Sequence, residues 1–284
     1  MDMDFIEELQ PAKSPVYDPA VALKFFQGAG KVEDVSAGEI LFREDDQGSK
    51  FLFKSDKMYL LLQGLILLEA GGTMVGTIGK GQVFGEMATI GRAPRTATAI
   101  AKTPCKLIAL NEKQFVSGLQ ANPSFALMMM DVMSARLKDN LTRLSQGGAI
   151  AASGVRECRD VLERKLLTAL QEELSYRAPV ICPAGKAIIH QGDAGVFMYA
   201  VIEGVIEIAV GETVVERIGV GGVFGEMAVI DQSRRMATAV AKKDATLLSI
   251  ARNEFLDLVQ GNPPFALAVL RSLAERVRFI TQRG

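Results

Sequence analysis

Two stretches of the sequence combine the side chains that a small phosphate ligand needs. The first is Phe84-Gly85-Glu86-Met87-Ala88 followed by Arg95-Thr96-Ala97, and the second is Phe224-Gly225-Glu226-Met227-Ala228 followed by Arg235-Met236-Ala237. Glycine at 85 and 225 removes the Cβ, so the backbone can approach a ligand closely and take dihedrals that other residues avoid. Glu-Met-Ala can open a short helix whose free N–H groups face an anion. Nine positions after each glutamate, Arg95 and Arg235 return a guanidinium toward the carboxylate, so opposite charges share one cavity. A buried Glu–Arg brace gains little over an apolar replacement, which makes it a poor reason to build the feature twice. A ligand carrying hydroxyls and one negative phosphate satisfies both charges: the carboxylate accepts from a ribose hydroxyl and the guanidinium donates to phosphate oxygens.

Other chemistries fit poorly. His190 is the sole histidine, which excludes multi-histidine metal centres and a Ser/His triad in both halves. Cys105, Cys158 and Cys182 are widely spaced with no CxxC pair, so buried, reduced thiols are expected in place of a disulfide framework or a zinc site. The glycines at Gly79-Lys80-Gly81 and Gly219-Val220-Gly221-Gly222 do not make a dinucleotide loop, because β-rich sequence and Arg95 arrive before any long helix and βαβ unit.

Both candidate segments sit in a repeat. Gly81 to Lys102 matches Gly221 to Lys242 at an offset of 140, and the match runs on without a gap to the Phe-Ala-Leu runs at Phe125 and Phe265. Upstream, Ala37-Gly38 matches Ala184-Gly185 at an offset of 147, so the first copy holds seven more residues, placed around Ser49 to Lys57. We read this insertion as a lengthened hairpin loop, with a partner-contact surface as the alternative. The first copy also has Glu44-Asp45-Asp46 where the second has the turn Gln191-Gly192-Asp193, which puts the outer wall of the first pocket in question.

The elements that must position these residues are mainly β. Short Val/Ile/Leu/Phe runs alternate with glycine turns at 39–42, 58–62, 65–69, 73–78, 96–101 and 106–110, and again at 187–190, 198–202, 205–210, 213–218, 237–241 and 246–250. The expected fold is two tandem antiparallel β-rolls of the jelly-roll type with flanking α-helices, each followed by a long C-terminal helix. Asp18-Pro19 starts a helix to about Phe26, and Asn111 and Ala251 precede short helices holding Phe115 and Phe255. After Pro123 and Pro263 the period turns helical: Ala126, Met130, Met133, Leu137, Leu141 and Leu144 form one seam, and Ala266, Leu270, Leu273, Val277 and Ile280 the other. Gln146 to Gly154 is small and glycine-rich, and helical pattern resumes at Val155 and runs to about Leu174. The domains are therefore placed at 1–146, with a helical lead, and 155–284, with a linker at 147–154. Val83, Val223, Ile40 and Ile188 read as core.

The duplicated F-G-E-M-A with R-x-A nine residues after the glutamate resembles the phosphate-binding cassette of cyclic nucleotide-binding domains, the family of the bacterial catabolite activator, protein kinase regulatory subunits and gated channels. The resemblance covers roughly 20–145 and 155–283. It implies cAMP or cGMP as ligand and no other cofactor or metal. Glu86 and Glu226 would take the ribose 2′-hydroxyl, and Arg95 and Arg235 the cyclic phosphate. Backbone amides near Gly85, Met87, Ala88 and Ala97, with Gly225, Met227, Ala228 and Ala237, would complete the anion cradle. Thr96 and Met236 differ, and a hydroxyl there can touch phosphate or a syn guanine, so inequivalent sites are expected.

With 284 residues, 49% hydrophobic and 23% charged, the chain has enough apolar surface for two cores, and 32 basic against 33 acidic residues give no general attraction for nucleic acid or lipid. The apolar stretch at 59–68 is interrupted and far short of the roughly twenty residues a membrane span requires. An acidic N-terminus unlike a secretory signal makes the expected location cytoplasmic. A helix-turn-helix is not expected after the last helix, nor a pseudosubstrate before the first domain, and no metal cluster or activated nucleophile for hydrolysing a nucleotide is visible. These readings lead to a non-catalytic cyclic nucleotide sensor acting on an unidentified protein partner. Its C-terminal helices would form a homodimer or an internal pseudo-dimer, or pack on their own rolls. The alternative is a degenerate fold serving as a ligand-independent scaffold.

Overall fold

The structure, a computed structural model, describes residues 16–46, 57–146 and 154–281. Residues 49–56 of the expected insertion, and all but Gly154 of the expected linker, lie outside the described residues. Contacts divide the chain into two compact units, Met1–Met129 and Met130–Gly284.

The first unit opens with helix α1 (Pro19–Ala29), capped by Asp18, whose carboxylate accepts from the Ala20 N–H at 2.8 Å. Pro19 at the first helical position gives up an N–H that would have no partner there. Strands β1 (Lys31–Val35), β2 (Ile40–Phe42), β3 (Lys57–Gln63), β4 (Ile66–Ala70), β5 (Thr73–Ile78) and β6 (Val83–Phe84) lead to the short helix α2 (Glu86–Gly91). Strands β7 (Thr98–Ala101) and β8 (Cys105–Asn111) follow, then helices α3 (Glu112–Ala121) and α4 (Pro123–Gln146). Two antiparallel sheets, β1-β8-β3-β6 and β2-β7-β4-β5, enclose a core that includes Leu61, Ile66, Phe84 and Leu107. Phe25 of α1 stacks on Phe125 at 4.0 Å between ring centroids and meets Phe115 edge-on, which seats the helices on the roll. Tyr17, just before α1, donates its hydroxyl to the Gly81 carbonyl at 2.8 Å, and burial pushes that hydroxyl well above its ordinary titration range.

In the second unit β9 (Arg156–Cys158) and helix α5 (Arg164–Glu173) precede β10 (Val180–Cys182), β11 (Ala187–Ile189), β12 (Phe197–Glu203), β13 (Ile206–Val210), β14 (Thr213–Ile218) and β15 (Val223–Phe224). Helix α6 (Glu226–Asp231), β16 (Thr238–Ala241), β17 (Ala245–Ala251), α7 (Arg252–Gly261) and α8 (Pro263–Thr281) complete it. The sheets are β10-β17-β12-β15 and β11-β16-β13-β14-β9. The β13–β14 hairpin repeats the β4–β5 hairpin, including the irregularity between Ile208 and Ala209 that matches the one between Leu68 and Glu69.

The expected β-rolls and their helices are present. The segment from Val155, expected to begin a helix, does not. Arg156 and Cys158 are buried while Glu157 is exposed, a period of two, and the three residues pair in parallel with Glu216, Arg217 and Ile218. Asp160 then takes φ 57°, which breaks the chain direction before α5 starts at Arg164.

The seam residues named from sequence are buried, from Ala126 to Leu144 on α4 and from Ala266 to Ile280 on α8. All three cysteines are buried and free. Val223 is core and Val83 is partly buried, whereas Ile40 is 36% exposed and Ile188 is only partly buried, because the inward position on this strand belongs to Ile189. Among the described residues, no helix is long and apolar enough to cross a membrane.

Candidate functional site

Each cassette is built on a glycine in the left-handed region. Gly85 (φ 74°) and Gly225 (φ 79°) end a strand and start α2 or α6, a turn that would strain any L side chain. A Cβ at Gly85 would lie 2.8 Å from Arg95 Nη1, and at Gly225 2.7 Å from Arg235 Nη1. The glycine is therefore required by its own dihedral and by the arginine above it.

The two arginines are held alike. Arg95 donates Nη1 to the Gly85 carbonyl at 2.8 Å and Nη2 to the Lys57 carbonyl at 2.7 Å. Arg235 donates to Gly225 and Phe197, the residues 140 further on, at 2.7 and 2.6 Å. Both are buried, at 5% and 8% exposure. Carbonyls orient a guanidinium without neutralising it. Burial accordingly pulls Arg235 below its ordinary value, opposed by Tyr199, Glu226 and Asp193.

The neighbours differ. Arg95 lies over the Phe42 ring at 4.1 Å, a cation–π contact, whereas Ile189 stands at the corresponding place in the second copy. Gly195 is needed beside Arg235, since a Cβ there would fall 2.5 Å from the guanidinium carbon.

The turn that departs from pattern in the first copy is preserved in shape. Asp45 adopts φ 61° where Gly192 adopts φ 91°. Asp45 N donates to the Arg95 carbonyl at 3.0 Å, as Gly192 N does to Arg235 at 2.9 Å. Glu44 accepts from Gly71 N at 2.8 Å and Gln191 from Gly211 N at 2.9 Å. Each turn thus clamps the backbone of its cassette arginine.

In the second unit these pieces surround a cavity of about 110 Å³. All seven residues expected there from sequence line it: Gly225, Glu226, Met227, Ala228, Arg235, Met236 and Ala237. The walls are otherwise mostly apolar, including Ile189, Ile208, Val210, Phe279 and Ile280. In the first unit Glu86, Ala88, Arg95 and Ala97 are buried at the equivalent places, Gly85 and Met87 are partly buried, and Thr96 is exposed.

Sequence reasoning missed the partner of the second carboxylate. Glu226, 2% exposed, receives Arg276 Nη1 on Oε1 at 2.6 Å, while its buried Oε2 has no hydrogen-bond partner among the described residues. Arg276 also donates Nε to Glu216 at 2.9 Å and Nη2 to the Val223 carbonyl at 2.6 Å. Burial opposes the charge on Arg276, and Glu216 and Glu226 more than restore it, so its titration lies above the ordinary range. Glu216 is bonded in turn to Arg156, which reaches Glu275 at 2.6 Å. The first copy has Gly76 where the second has Glu216. Within Val215-Glu216-Arg217-Ile218 no local pattern marks Glu216 as the buried carboxylate, since Val215 beside it is buried too; only the fold brings Arg156 and Arg276 to it.

The family model for the cyclic nucleotide-binding domain matches residues 32–122 and 179–262. The chain is 36% identical over 110 residues to the cyclic AMP receptor protein of Thermus thermophilus, covering 37% of this chain and 51% of that one. It is 27% identical over 228 residues to the cAMP-dependent protein kinase regulatory subunit of Eremothecium gossypii, covering 79% of this chain and 43% of that one. The chain thus spans about half the length of the curated relatives it matches. Among solved structures, the regulatory domain of Toxoplasma gondii PKA with cAMP is similar over 86% of this chain and 87% of that chain, at 21% identity and a TM-score of 0.32. With the family's domain matched twice over more than half of its length, the chain belongs to the cyclic nucleotide-binding domain family.

Proposed function

We propose that this chain is a non-catalytic sensor that binds cAMP, or cGMP, in its two cassettes and relays the ligand through its C-terminal helices to a protein partner. The observation that carries this reading is one cavity lined by both Glu226, whose buried Oε2 has no hydrogen-bond partner among the described residues, and Arg235, whose buried guanidinium donates to the carbonyls of Gly225 and Phe197. A ribose 2′-hydroxyl donates to the first. The singly charged cyclic phosphate meets the second with charge-assisted hydrogen bonds in a site of low polarity. The purine then lies against the apolar walls.

The relay follows from Arg276. One carboxylate serves both the ligand and the terminal helix, so a hydroxyl arriving at Oε2 acts on the group that anchors α8 through Oε1. A ligand shifts such an equilibrium only by its differential affinity for the two helix positions. Relatives that align over most of the chain include cAMP-dependent protein kinase regulatory subunits and a cGMP-dependent protein kinase, which favours a protein kinase as the partner.

The test is calorimetric titration of the purified chain with cAMP and with cGMP, repeated on Arg95→Ala, Arg235→Ala and the double variant. Each single variant should lose one binding event or weaken it about 10- to 100-fold, the equivalent of one or two charge-assisted hydrogen bonds. No binding of either nucleotide at millimolar concentration by the unaltered chain would leave the scaffold reading standing, and nucleotide consumed during the titration would refute a pure sensor.

A further inference from the structure

Helix α4 follows the first repeat in sequence, yet from Met130 onward it belongs to the second compact unit. There it reaches the second cassette. Leu137 and Leu141, one helical turn apart, line the cavity beside Met236, Phe279 and Ile280. Between them Lys138 turns to the outside of the cassette loop: its Nζ forms an ion pair with Asp231, the last residue of α6, and donates to Ser233 Oγ at 2.6 Å. The Ser233 N–H is bonded back to Asp231 at 3.0 Å, and Arg235 follows two residues later. From the other side Arg252 donates to the Ile230 carbonyl at 2.8 Å, closing the C-terminal end of α6.

The repeat shows that this arrangement is specific to the second cassette. At the offset of 140, Asp231 and Ser233 correspond to Gly91 and Ala93, which offer a lysine no side-chain acceptor. The cavity residues Phe279 and Ile280 of α8 correspond to Asp139 and Asn140 of α4. The two terminal helices therefore present different edges to the pocket, and α4 adds a wall that α8 does not supply.

We infer that helix α4 is a working part of the second nucleotide pocket, with Leu137 and Leu141 completing the apolar wall for the purine and Lys138 acting as a positioning residue that fixes the 231–233 loop and so the approach of Arg235. This rests on the reading of the cavity as a cyclic nucleotide site. Lys138 touches no ligand; it acts through Asp231 and Ser233.

The experiment uses the full chain carrying Arg95→Ala, so that only the second pocket is read, titrated with cAMP. Lys138→Met, which keeps the aliphatic stem, and Leu137→Ala with Leu141→Ala should each weaken cAMP binding about 5- to 20-fold. Lys138→Asp combined with Asp231→Lys should recover part of the loss, because the swap restores the ion pair but not the bond from the Ser233 N–H. Hydrogen exchange at the Ser233–Arg235 amides should rise in Lys138→Met and stay low in Lys138→Arg, a readout that holds even where the leucine variants fold poorly. Affinity within twofold of the parent together with unchanged exchange would overturn the inference while leaving the pocket intact. Loss of cAMP binding in the Arg95→Ala parent itself, or binding indifferent to Arg235→Ala, would overturn the reading beneath it.

Discussion

Arg276 closes on Glu226 at 2.6 Å, so the terminal helix of the second unit is bonded to the carboxylate of its own cassette. Glu216, Arg276 and Glu226 are all buried, and Arg156 and Glu275 extend the chain of charges toward the surface. Such a series is no stronger than good apolar packing when complete, but removing one member strands the rest. Arg276→Leu should therefore destabilise the second unit by about 3–5 kcal/mol, measured as a lowered urea midpoint with an unchanged slope. A loss below about 1 kcal/mol would mean that Glu216 and Glu226 are satisfied in some other way.

The left-handed glycine of each cassette makes a sharper demand. Gly225→Ala places a methyl carbon against Arg235 and a Cβ at φ 79°. The expected cost is about 1–3 kcal/mol of stability, together with loss of cAMP binding at that pocket alone. Gly85→Ala should do the same in the first. Calorimetry that still counts two sites in both variants would show that the guanidinium can move aside without consequence.

The turn at Asp45 predicts a gain. Its φ of 61° repeats the φ of Gly192, but with a side chain that the left-handed region disfavours. Asp45→Gly should raise stability by about 0.5–1 kcal/mol, read from chemical denaturation, with the Arg95 clamp unaltered. A destabilised variant would show that the Asp45 side chain contributes more than its backbone conformation costs.

A pH dependence is expected from Glu254 on α7. It accepts from Ala251 N at 2.6 Å, from Arg177 at 2.7 Å and from the Tyr176 hydroxyl. Burial alone would push its carboxyl up; these bonds outweigh burial and hold it below its ordinary value of 4.5. As pH falls the unfolded chain takes the proton first, so this stabilisation is complete above about pH 5 and disappears as the pH drops through the lowered value. Glu254→Gln should cost about 1–3 kcal/mol at pH 7, with the gap closing below about pH 4. An equal gap at pH 7 and pH 3 would contradict the assignment.

Much of this was legible in the sequence. The hairpin strands at 73–78 and 213–218 coincide with the observed ones residue for residue, because apolar periodicity and flanking glycines act locally. The cassette residues were legible because glycine, glutamate and arginine recur at fixed spacing in two copies. What escaped was set by distant partners. Arg156-Glu157-Cys158 has no β-branched residue and becomes a strand only by lying beside β14. Arg276 and Lys138 look like ordinary charges on helices, and only the fold brings them to Glu226 and Asp231, 50 and 93 residues away.

The seam between compact units falls at Met129/Met130, within α4, well ahead of the glycine-rich stretch where the two copies part in sequence. Cutting the chain at that stretch to express the C-terminal half alone would discard Leu137, Lys138 and Leu141, along with the Asn140 amide that donates to Thr281 at 3.0 Å. The excised half would begin life with one flank of its chamber stripped and greasy helix surface newly wetted. A fragment starting near Met130 would keep both intact.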